Sequence, residues 1–394
     1  MTIGRSSYDA SHITVLSGEE AVRKRPGLYI GSTGERGLQN MVSEAIDRAA
    51  TEVLAGRATR VDVTLTADGG VRVTHDAVDG RVGAIEDDRL GEELSIVDYG
   101  ARGGDRHTLG YASGALGISV VNALSSRLTT QVWQDDSEWV REYERGIAIT
   151  QPEEPTGSTG SDRTSPRPNG TAITFRPDSE IFETTHTPIE PLTKRFRTLA
   201  FLYRDLDITL TDERDSEQPQ SERFWSRHGA RDFVAFLDGL PLDSPEADVF
   251  GFVEDDERMA GSVEVALRWH AGPDHLVRSF ANSRPTSGGG THEIGFRRGV
   301  AAAINAYARG HQLLAHSEAD LGFAQIGEGL TAIVSVKIDR PVYEGCVRDV
   351  LGTGPVLACV QEAVDEHLSR WLKEHPDQAH AIVDRITRGA RQTG

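Results

Sequence analysis

The chain has 394 residues, of which 38% are hydrophobic, and a formal net charge of −19 at pH 7; this length allows two or three domains, and the charge argues against nucleic-acid binding over the whole surface. Two cysteines, Cys346 and Cys359, exclude a disulfide framework and favour the reducing cytoplasm. No signal-peptide pattern and no run of 18 apolar residues is present, so we expect neither secretion nor a membrane span.

The N-terminal part of the chain predicts an arm, two helices and a hairpin. Residues 1–17 are polar with scattered apolar side chains and are typical of an arm. A helical pattern begins at residue 18 and stops at Pro26, and a second covers residues 36–55. The segment RVDVTLTADGGVRVTHD, residues 60–76, reads as strand, turn and strand, which predicts a β-hairpin.

The middle of the chain mixes loops with strands. Residues 77–117 are rich in Gly and Asp and predict mostly loop, whereas ISVVNALSSRL, residues 118–128, predicts a helix. The composition of residues 156–170 indicates a flexible loop. Further strands are predicted at 128–134, 138–145 and 171–176.

A polar break, DERDSEQPQSER at residues 212–223, is the best candidate for a domain boundary. After it, the pattern predicts two strands, a long helix and a strand, and the chain closes with a long helix over 356–375. We therefore expect an arm at 1–17, a first domain at 18–218 and a second at 219–394.

Four long segments carry a resemblance to a known family: YDASHITVLSGEEAVRKRPGLYIGSTGERGL (8–38), GISVVNALS (117–125), FANSRPTSGGGTHEIGFRRGV (280–300) and GLTAIVSVKIDRPVYEG (329–345). Together they resemble the ATPase region of bacterial DNA gyrase B proteins, over essentially the whole chain. The resemblance implies an α+β fold, with a GHKL (Bergerat-type) α/β sandwich followed by a transducer domain like domain 2 of ribosomal protein S5. It also implies that the Toprim domain of full gyrase B proteins is missing.

The resemblance assigns catalysis to the helix at 36–55. Glu44 matches the general base that acts on the attacking water, and Arg48 stands where the family has an Asn that binds Mg²⁺. Magnesium takes about six oxygen ligands, whereas a guanidinium offers only donors. An ion pair with Arg48 would also make Glu44 a weaker base. The alternative is an ordinary i,i+4 ion pair on a helix surface.

The resemblance places the adenine contact at the end of the hairpin. His75 matches the family's adenine-binding Asp, and Asp76 matches its neighbour; a slipped register would give the role to Asp76 or Asp79. Neutral His accepts at one nitrogen, with a geometry unlike that of a carboxylate. His75 as a plain hairpin-end residue is an equal alternative. Thr171 is a further family position for nucleotide binding.

The phosphate-binding positions are also altered. Gly114 and Gly117 remain in the loop that opens a helix, where backbone N–H groups would cradle phosphates. Asp105 replaces a family Lys and would repel a triphosphate. In the second domain, Arg348 replaces the Lys that reaches the γ-phosphate and keeps its charge, while Cys346 replaces a Gln.

The arm keeps the family's contact residues. Tyr8 and Ile13 match a Tyr and an Ile that close over the nucleotide of a neighbouring subunit. An arm has no core of its own, so a partner must order it. We expect that partner to be a DNA gyrase subunit, the B type first, with a self-dimer as the alternative.

The altered pocket in an intact scaffold predicts a non-hydrolysing paralogue that modulates DNA gyrase and DNA supercoiling by protein contacts, without a cofactor. One alternative is a working ATPase that uses ATP and Mg²⁺, in which Arg48, Arg348 or Arg102 supplies phosphate-neutralising charge. Another is a DNA clamp that uses Arg297 and Arg298. We expect weak DNA binding and a cytoplasmic location, with nucleoid association left open.

Overall fold

In the computed structural model, the described residues are 18–78, 91, 93–94, 117–134, 137–150, 156–157, 169–215, 217–242, 248–345 and 348–393. They form two units, each with its own β-sheet and packed helices. The predicted arm at 1–17 lies outside them. No helix within these ranges is long and apolar enough to cross a membrane.

The first unit is a large, mostly antiparallel sheet with helices packed on it. Its strand order is β5-β4-β3-β7-β2-β1-β8-β9, with β6 paired to β4. Its elements in chain order are α1 (Gly18–Lys24), α2 (Gly27–Ile30), α3 (Glu35–Leu54), β1 (Val61–Leu65), β2 (Val71–His75), α4 (Ile118–Ala123), β3 (Ser125–Gln134), β4 (Ser137–Glu144), β5 (Ile147–Ala148), β6 (Thr156–Gly157), β7 (Gly170–Pro177), α5 (Ile189–Leu202), β8 (Ile208–Asp212) and β9 (Gln220–Phe224).

Helix α3 forms because its apolar residues recur every three or four positions and meet the sheet on one side. Met41, Ala45 and Ile46 are fully buried in the core of this unit. The helix ends beside Gly56, which has a φ of +72°, a conformation that glycine adopts without strain. The predictions of this helix and of the β1–β2 hairpin are confirmed.

Two sequence interpretations differ from the structure. The predicted helix at 118–128 stops at Ala123, and residues from Ser125 onward belong to β3, because pairing with β7 outweighs local helix preference. The polar break at 212–223 contains the turn of the β8–β9 hairpin and most of β9, which pairs with β8 in antiparallel register. The first sheet therefore extends past the predicted boundary at 218 to Phe224.

The second unit is a five-stranded sheet, in the order β10-β11-β14-β12-β13, packed against two long helices. Its elements in chain order are α6 (Ala230–Leu237), β10 (Phe250–Asp256), β11 (Gly261–Trp269), β12 (Leu276–Ala281), β13 (Arg284–Pro285), α7 (Thr291–Gly310), α8 (Phe323–Ile326), β14 (Leu330–Ile338), β15 (Tyr343–Glu344), β16 (Val350–Leu351), α9 (Gly354–Glu374) and α10 (Pro376–Thr393).

Glycines allow α7 and α9 to approach each other closely. A Cβ on Gly295 would lie 2.5 Å from the carbonyl oxygen of Leu357, and one on Gly299 would lie 2.6 Å from that of Gln361. Both distances are shorter than any normal van der Waals contact, so only glycine fits. The glycines of the GFRRG segment thus set the distance between the two helices.

The core of the first unit continues into the second. Ala266, Phe280 and Ile333 of the second sheet belong to the same buried cluster as the core of the first unit. The rings of Phe201 on α5 and Phe233 on α6 stack with centroids 4.9 Å apart. The two units are therefore joined through packed apolar side chains, which fixes the second sheet against α5.

Candidate functional site

The middle of α3 contacts the residue that precedes α4. Glu44 is 7% exposed, and its Oε1 accepts a hydrogen bond from the backbone N–H of Gly117 at 3.0 Å. Gly117 has a φ of +74°, which favours glycine. The structure thus brings together the proposed general base and the last glycine of the proposed phosphate loop, although 73 positions separate them in sequence.

Arg48 lies one helical turn beyond Glu44 and is held inside the protein. Its side chain is 12% exposed, and its Nε donates to Oε2 of Glu93 at 2.9 Å, with Glu93 14% exposed. Because both side chains are shielded from water, this part of α3 is not the solvated helix surface that the alternative interpretation of Arg48 assumes. Sequence reasoning named Glu44 as the partner and missed Glu93, because that residue lies in the Gly- and Asp-rich stretch without a periodic pattern.

The donor set beside Glu44 does not fit Mg²⁺. The position one turn away presents a guanidinium, which carries only N–H donors and a positive charge. Magnesium binds oxygen ligands in near-octahedral geometry. Among the residues that the structure describes, no group of three or more His, Cys, Asp or Glu side chains could hold a metal ion.

Asp76 is engaged by the segment that precedes β1. Its carboxylate accepts hydrogen bonds from the backbone N–H of Thr59 at 2.7 Å and from the Thr59 hydroxyl. Burial raises the pKa of Asp76, but the Thr59 hydrogen bonds and that from the Arg60 backbone outweigh it and hold the pKa below its ordinary value. Binding of adenine by Asp76 would have to compete with these bonds.

His75 and Thr171 lie opposite each other at one end of the sheet. His75 is 3% exposed, and its Cα pairs with those of Val61 on β1 and Thr171 on β7. The Thr171 hydroxyl is buried and donates to the carbonyl oxygen of Ala77 at 2.9 Å. This bond ties the chain after β2 to β7. Their predicted roles toward adenine stay predictions.

Arg348 belongs to the second unit. It is half-buried with a φ of +56°, a left-handed conformation that is uncommon outside glycine. The residues after it are held by a glycine turn: the Gly288 N–H donates to the carbonyl of Asp349 at 3.0 Å, and the Leu351 N–H donates to that of Gly289 at 3.1 Å. Its predicted role toward phosphate stays a prediction.

Several residues singled out from the sequence lie outside the described residues, so the structure leaves their assignments as predictions. They are Tyr8, Ile13, Asp79, Arg102, Asp105, Gly114 and Cys346.

Comparisons of sequence point in one direction. A family model described as DNA gyrase B matches residues 229–393. The DNA gyrase B protein of Streptomyces coelicolor is 39% identical over 397 residues, which cover 96% of this chain and 57% of that protein. The DNA gyrase B protein of Mycobacterium tuberculosis H37Rv is 34% identical over 430 residues, which cover 98% and 60%. The chain thus spans less than two thirds of the length of these relatives.

Solved structures agree with the sequence matches. The 43K ATPase domain of Thermus thermophilus gyrase B, in complex with an aminocoumarin, matches with a TM-score of 0.78 and 29% identity over 96% of each chain. The topoisomerase IV ATP-binding domain of Francisella tularensis matches with a TM-score of 0.74 and 25% identity, over 96% of this chain and 98% of that one. The similarity therefore includes both units.

Proposed function

The chain belongs to the DNA gyrase B family and has the GHKL fold of gyrase B ATPase domains, and from this premise we propose that it is a non-hydrolysing form of the ATPase region that modulates DNA gyrase by protein contacts. The observation that carries the proposal is the shielded Arg48–Glu93 pair, one turn from Glu44. A guanidinium held there supplies no oxygen to Mg²⁺ and repels the ion.

Polar side chains at proposed nucleotide-binding positions already have hydrogen-bond partners within the protein. Arg48 donates to Glu93, Asp76 accepts from Thr59, and the Thr171 hydroxyl donates to a backbone carbonyl. A nucleotide that used these groups would first have to break such contacts, each of which contributes about 0.5–1.5 kcal/mol. The arrangement therefore favours a wall that stabilises the fold over one that binds a triphosphate with its metal.

The hydrolysis proposal is tested by steady-state ATP turnover in the presence of Mg²⁺. We expect the rate to be at the background level, and we expect Glu44→Ala to leave it unchanged. A rate similar to that of a gyrase B ATPase fragment, abolished by Glu44→Ala in a variant that circular dichroism shows to be folded, would refute the proposal, because Glu44 is the proposed general base.

A second candidate is nucleotide binding without metal. The hydrogen bond between Gly117 and Glu44 supports this candidate, because it joins the proposed base to the last glycine of the proposed phosphate loop; Arg48 or Arg348 would supply charge to a phosphate in place of Mg²⁺. Calorimetry with a nonhydrolysable ATP analogue, with and without Mg²⁺, separates the candidates. Heat of binding that is equal in both conditions supports this second function, whereas no heat in either supports a pocket that has lost nucleotide binding.

The proposed partner is a DNA gyrase subunit, the B type first. The support is family membership together with a second unit in which α7 and α9 pack closely through Gly295 and Gly299. We propose that residues 1–17 make the contact, so that a mixed assembly has inhibited or altered supercoiling. A self-dimer through the same residues is the alternative.

Pull-down with purified gyrase subunits tests the partner, with the intact chain and with a chain that lacks residues 1–17. We expect the intact chain to bind the B-type subunit and the shortened chain to bind less. If neither form binds a subunit and supercoiling is unchanged at excess protein, the partner proposal is wrong. Self-association in sedimentation, without binding to gyrase, would favour the self-dimer.

DNA is expected to be a poor partner. The net charge of −19 opposes phosphate binding, and Arg297 already pairs with Glu293 at 2.7 Å. We therefore expect no submicromolar retention of duplex DNA in about 150 mM salt, where exposed charges are strongly screened. Tight binding that Arg298→Ala weakens would favour the DNA-clamp alternative instead.

A further inference from the structure

A small group of charged and aromatic side chains, of which Tyr203 and Glu264 are buried, joins the two units. Tyr203 directly follows α5 and is 5% exposed, and Nζ of Lys337 on β14 lies 4.5 Å from the centroid of its ring. The same ammonium is 3.8 Å from a carboxylate oxygen of Glu264 on β11. A cation held over an aromatic face away from water is a strong, directional contact.

Glu264 connects the cluster back to the first unit. Its Oε1 accepts a hydrogen bond from Nη2 of Arg204 at 2.8 Å and from the backbone N–H of Ala230 at 3.1 Å. A Cβ on the adjacent Gly229 would lie 2.7 Å from both Arg204 and Glu264. One carboxylate of the second sheet thus holds the end of α5 and the start of α6 together.

The charge on Lys337 favours one orientation of the second sheet relative to α5. Burial lowers the pKa of Lys337, and Glu264 acts in the opposite direction. If the second sheet shifted relative to α5, Lys337 would lose the Tyr203 ring, and Glu264, which moves with Lys337 in the same sheet, would lose Arg204. These two contacts would break together, so the cluster opposes intermediate orientations of the two units.

The cluster also lies close to α3. Asp47, the neighbour of Arg48, forms an ion pair with Arg195 of α5, and the two side chains are 2% and 12% exposed. Burial raises the pKa of Tyr203. The Asp47–Arg195 pair joins α3 to α5, and the contact of Tyr203 with Lys337 joins the end of α5 to β14.

We propose that Tyr203, Lys337, Glu264 and Arg204, which we call the interface latch, fix the orientation of the second unit relative to α3. The latch acts by positioning, because its contacts hold the end of α5 and the start of α6 against the second sheet. It does not depend on the proposed function, because it concerns the geometry of the chain without nucleotide.

The test is the distance distribution between spin labels on the two units, measured by pulsed electron resonance in the full chain. Labels at Arg36→Cys and His380→Cys use exposed sites, in a background with Cys346→Ser and Cys359→Ala. We expect Lys337→Met to broaden the distribution about twofold or to add a second distance, as for an interface that has two packings. Lys194→Met, which removes an exposed ion pair with Glu190, is the matched control and should leave it unchanged.

A variant at the rim keeps the inference testable if Lys337→Met does not fold. The Arg204 side chain is 45% exposed, so Arg204→Met should fold and still broaden the distribution, whereas Tyr203→Phe keeps the ring and should not. Circular dichroism confirms folding of each variant. An unchanged distance distribution in folded Lys337→Met or Arg204→Met would overturn the latch and leave these residues a purely structural role.

Discussion

Two regions of the molecule constrain their amino acids in different ways. One is the contact between α7 and α9, and the other is the face of α3 that carries Glu44. Between the two helices, Gly295 and Gly299 meet backbone atoms of α9, so sterics permit one residue type. On α3, Arg48 is held by a hydrogen bond to Glu93, so a charged partner rather than backbone crowding determines the residue there. The first contact is determined by the shape of the backbone, and the second by the chemistry of the side chains.

The largest expected effect comes from placing a larger side chain in the contact between α7 and α9. We expect Gly299→Val to destabilise the protein by about 3 kcal/mol or more, because its side chain would overlap Gln361 and Val364 of α9. Urea unfolding at constant pH measures the change. Gly310→Ala, at the end of the same helix with no neighbouring atom within 4 Å, is the control and should change stability by less than about 0.5 kcal/mol.

If Gly299→Val were tolerated as well as Gly310→Ala, sterics would not determine the residue at that position. Both regions would then accept substitutions, and the difference between the α7–α9 contact and the face of α3 would have no steric basis.

On the pocket side, we expect Arg48→Met to destabilise by about 2–3 kcal/mol, less than Gly299→Val, because Glu93 stays shielded without its cation. Arg127→Met removes an exposed pair with Glu142 and should have an effect below about 0.5 kcal/mol. Chemical unfolding of both variants gives the comparison. An effect of Arg48→Met as small as that of Arg127→Met would show that the Glu93 contact is not maintained in solution.

Arg48→Asn tests whether residue 48 alone prevents ATP hydrolysis. We expect no ATP turnover from this single change, since residues of one catalytic unit act together and the proposal places further departures from the family residues at positions such as Asp105. Full recovery of hydrolysis would show that the defect is confined to residue 48.

The buried His292, which follows the glycine turn of the second unit, predicts that the stability of the protein depends on pH. His292 is fully buried against Thr286, and burial lowers its pKa to about 4. The unfolded chain therefore binds a proton near pH 6.5 that the folded chain does not bind, so this stability is present above pH 6.5 and is lost as the pH falls toward 4. Between pH 7 and 4.5 the wild type should lose about 2 kcal/mol more than His292→Asn.

The difference between the two proteins isolates His292, because acidic groups with lowered pKa values act in both. His316→Asn, at an exposed histidine, should follow the wild-type curve. Parallel curves for wild type and His292→Asn would mean that the imidazole is protonated in the folded protein.

Much of the fold was predictable because its signals are local. The amphipathic spacing of α3 and the Asp-Gly-Gly turn between β1 and β2 are written in adjacent residues. The β8–β9 hairpin was missed because its long polar turn has the composition of a linker. Family motifs identified Glu44 and Arg48 as site positions, whereas Glu93 depends on a contact between segments 45 positions apart that no spacing rule contains.

The smallest expected effect concerns Asp76 at the edge of the pocket. Its carboxylate holds Thr59 and is ionised at neutral pH, since the hydrogen bonds outweigh burial and keep its pKa below 3.8. We expect Asp76→Asn to destabilise by about 1 kcal/mol at pH 7. The difference shrinks on acidification, because this contribution is lost as the pH falls below 3.8 and through the lowered pKa.

Urea midpoints at pH 7 and pH 3 test this, with Asp62→Asn as the control at an exposed carboxylate of β1 whose pair with Arg60 spans 3.5 Å. The control should differ from wild type by less than about 0.5 kcal/mol at pH 7. If Asp76→Asn were equally silent, its carboxylate would not be committed to Thr59. Asp76 would then remain available to a base, and the pocket edge would be closer to a working site than its hydrogen bonds indicate.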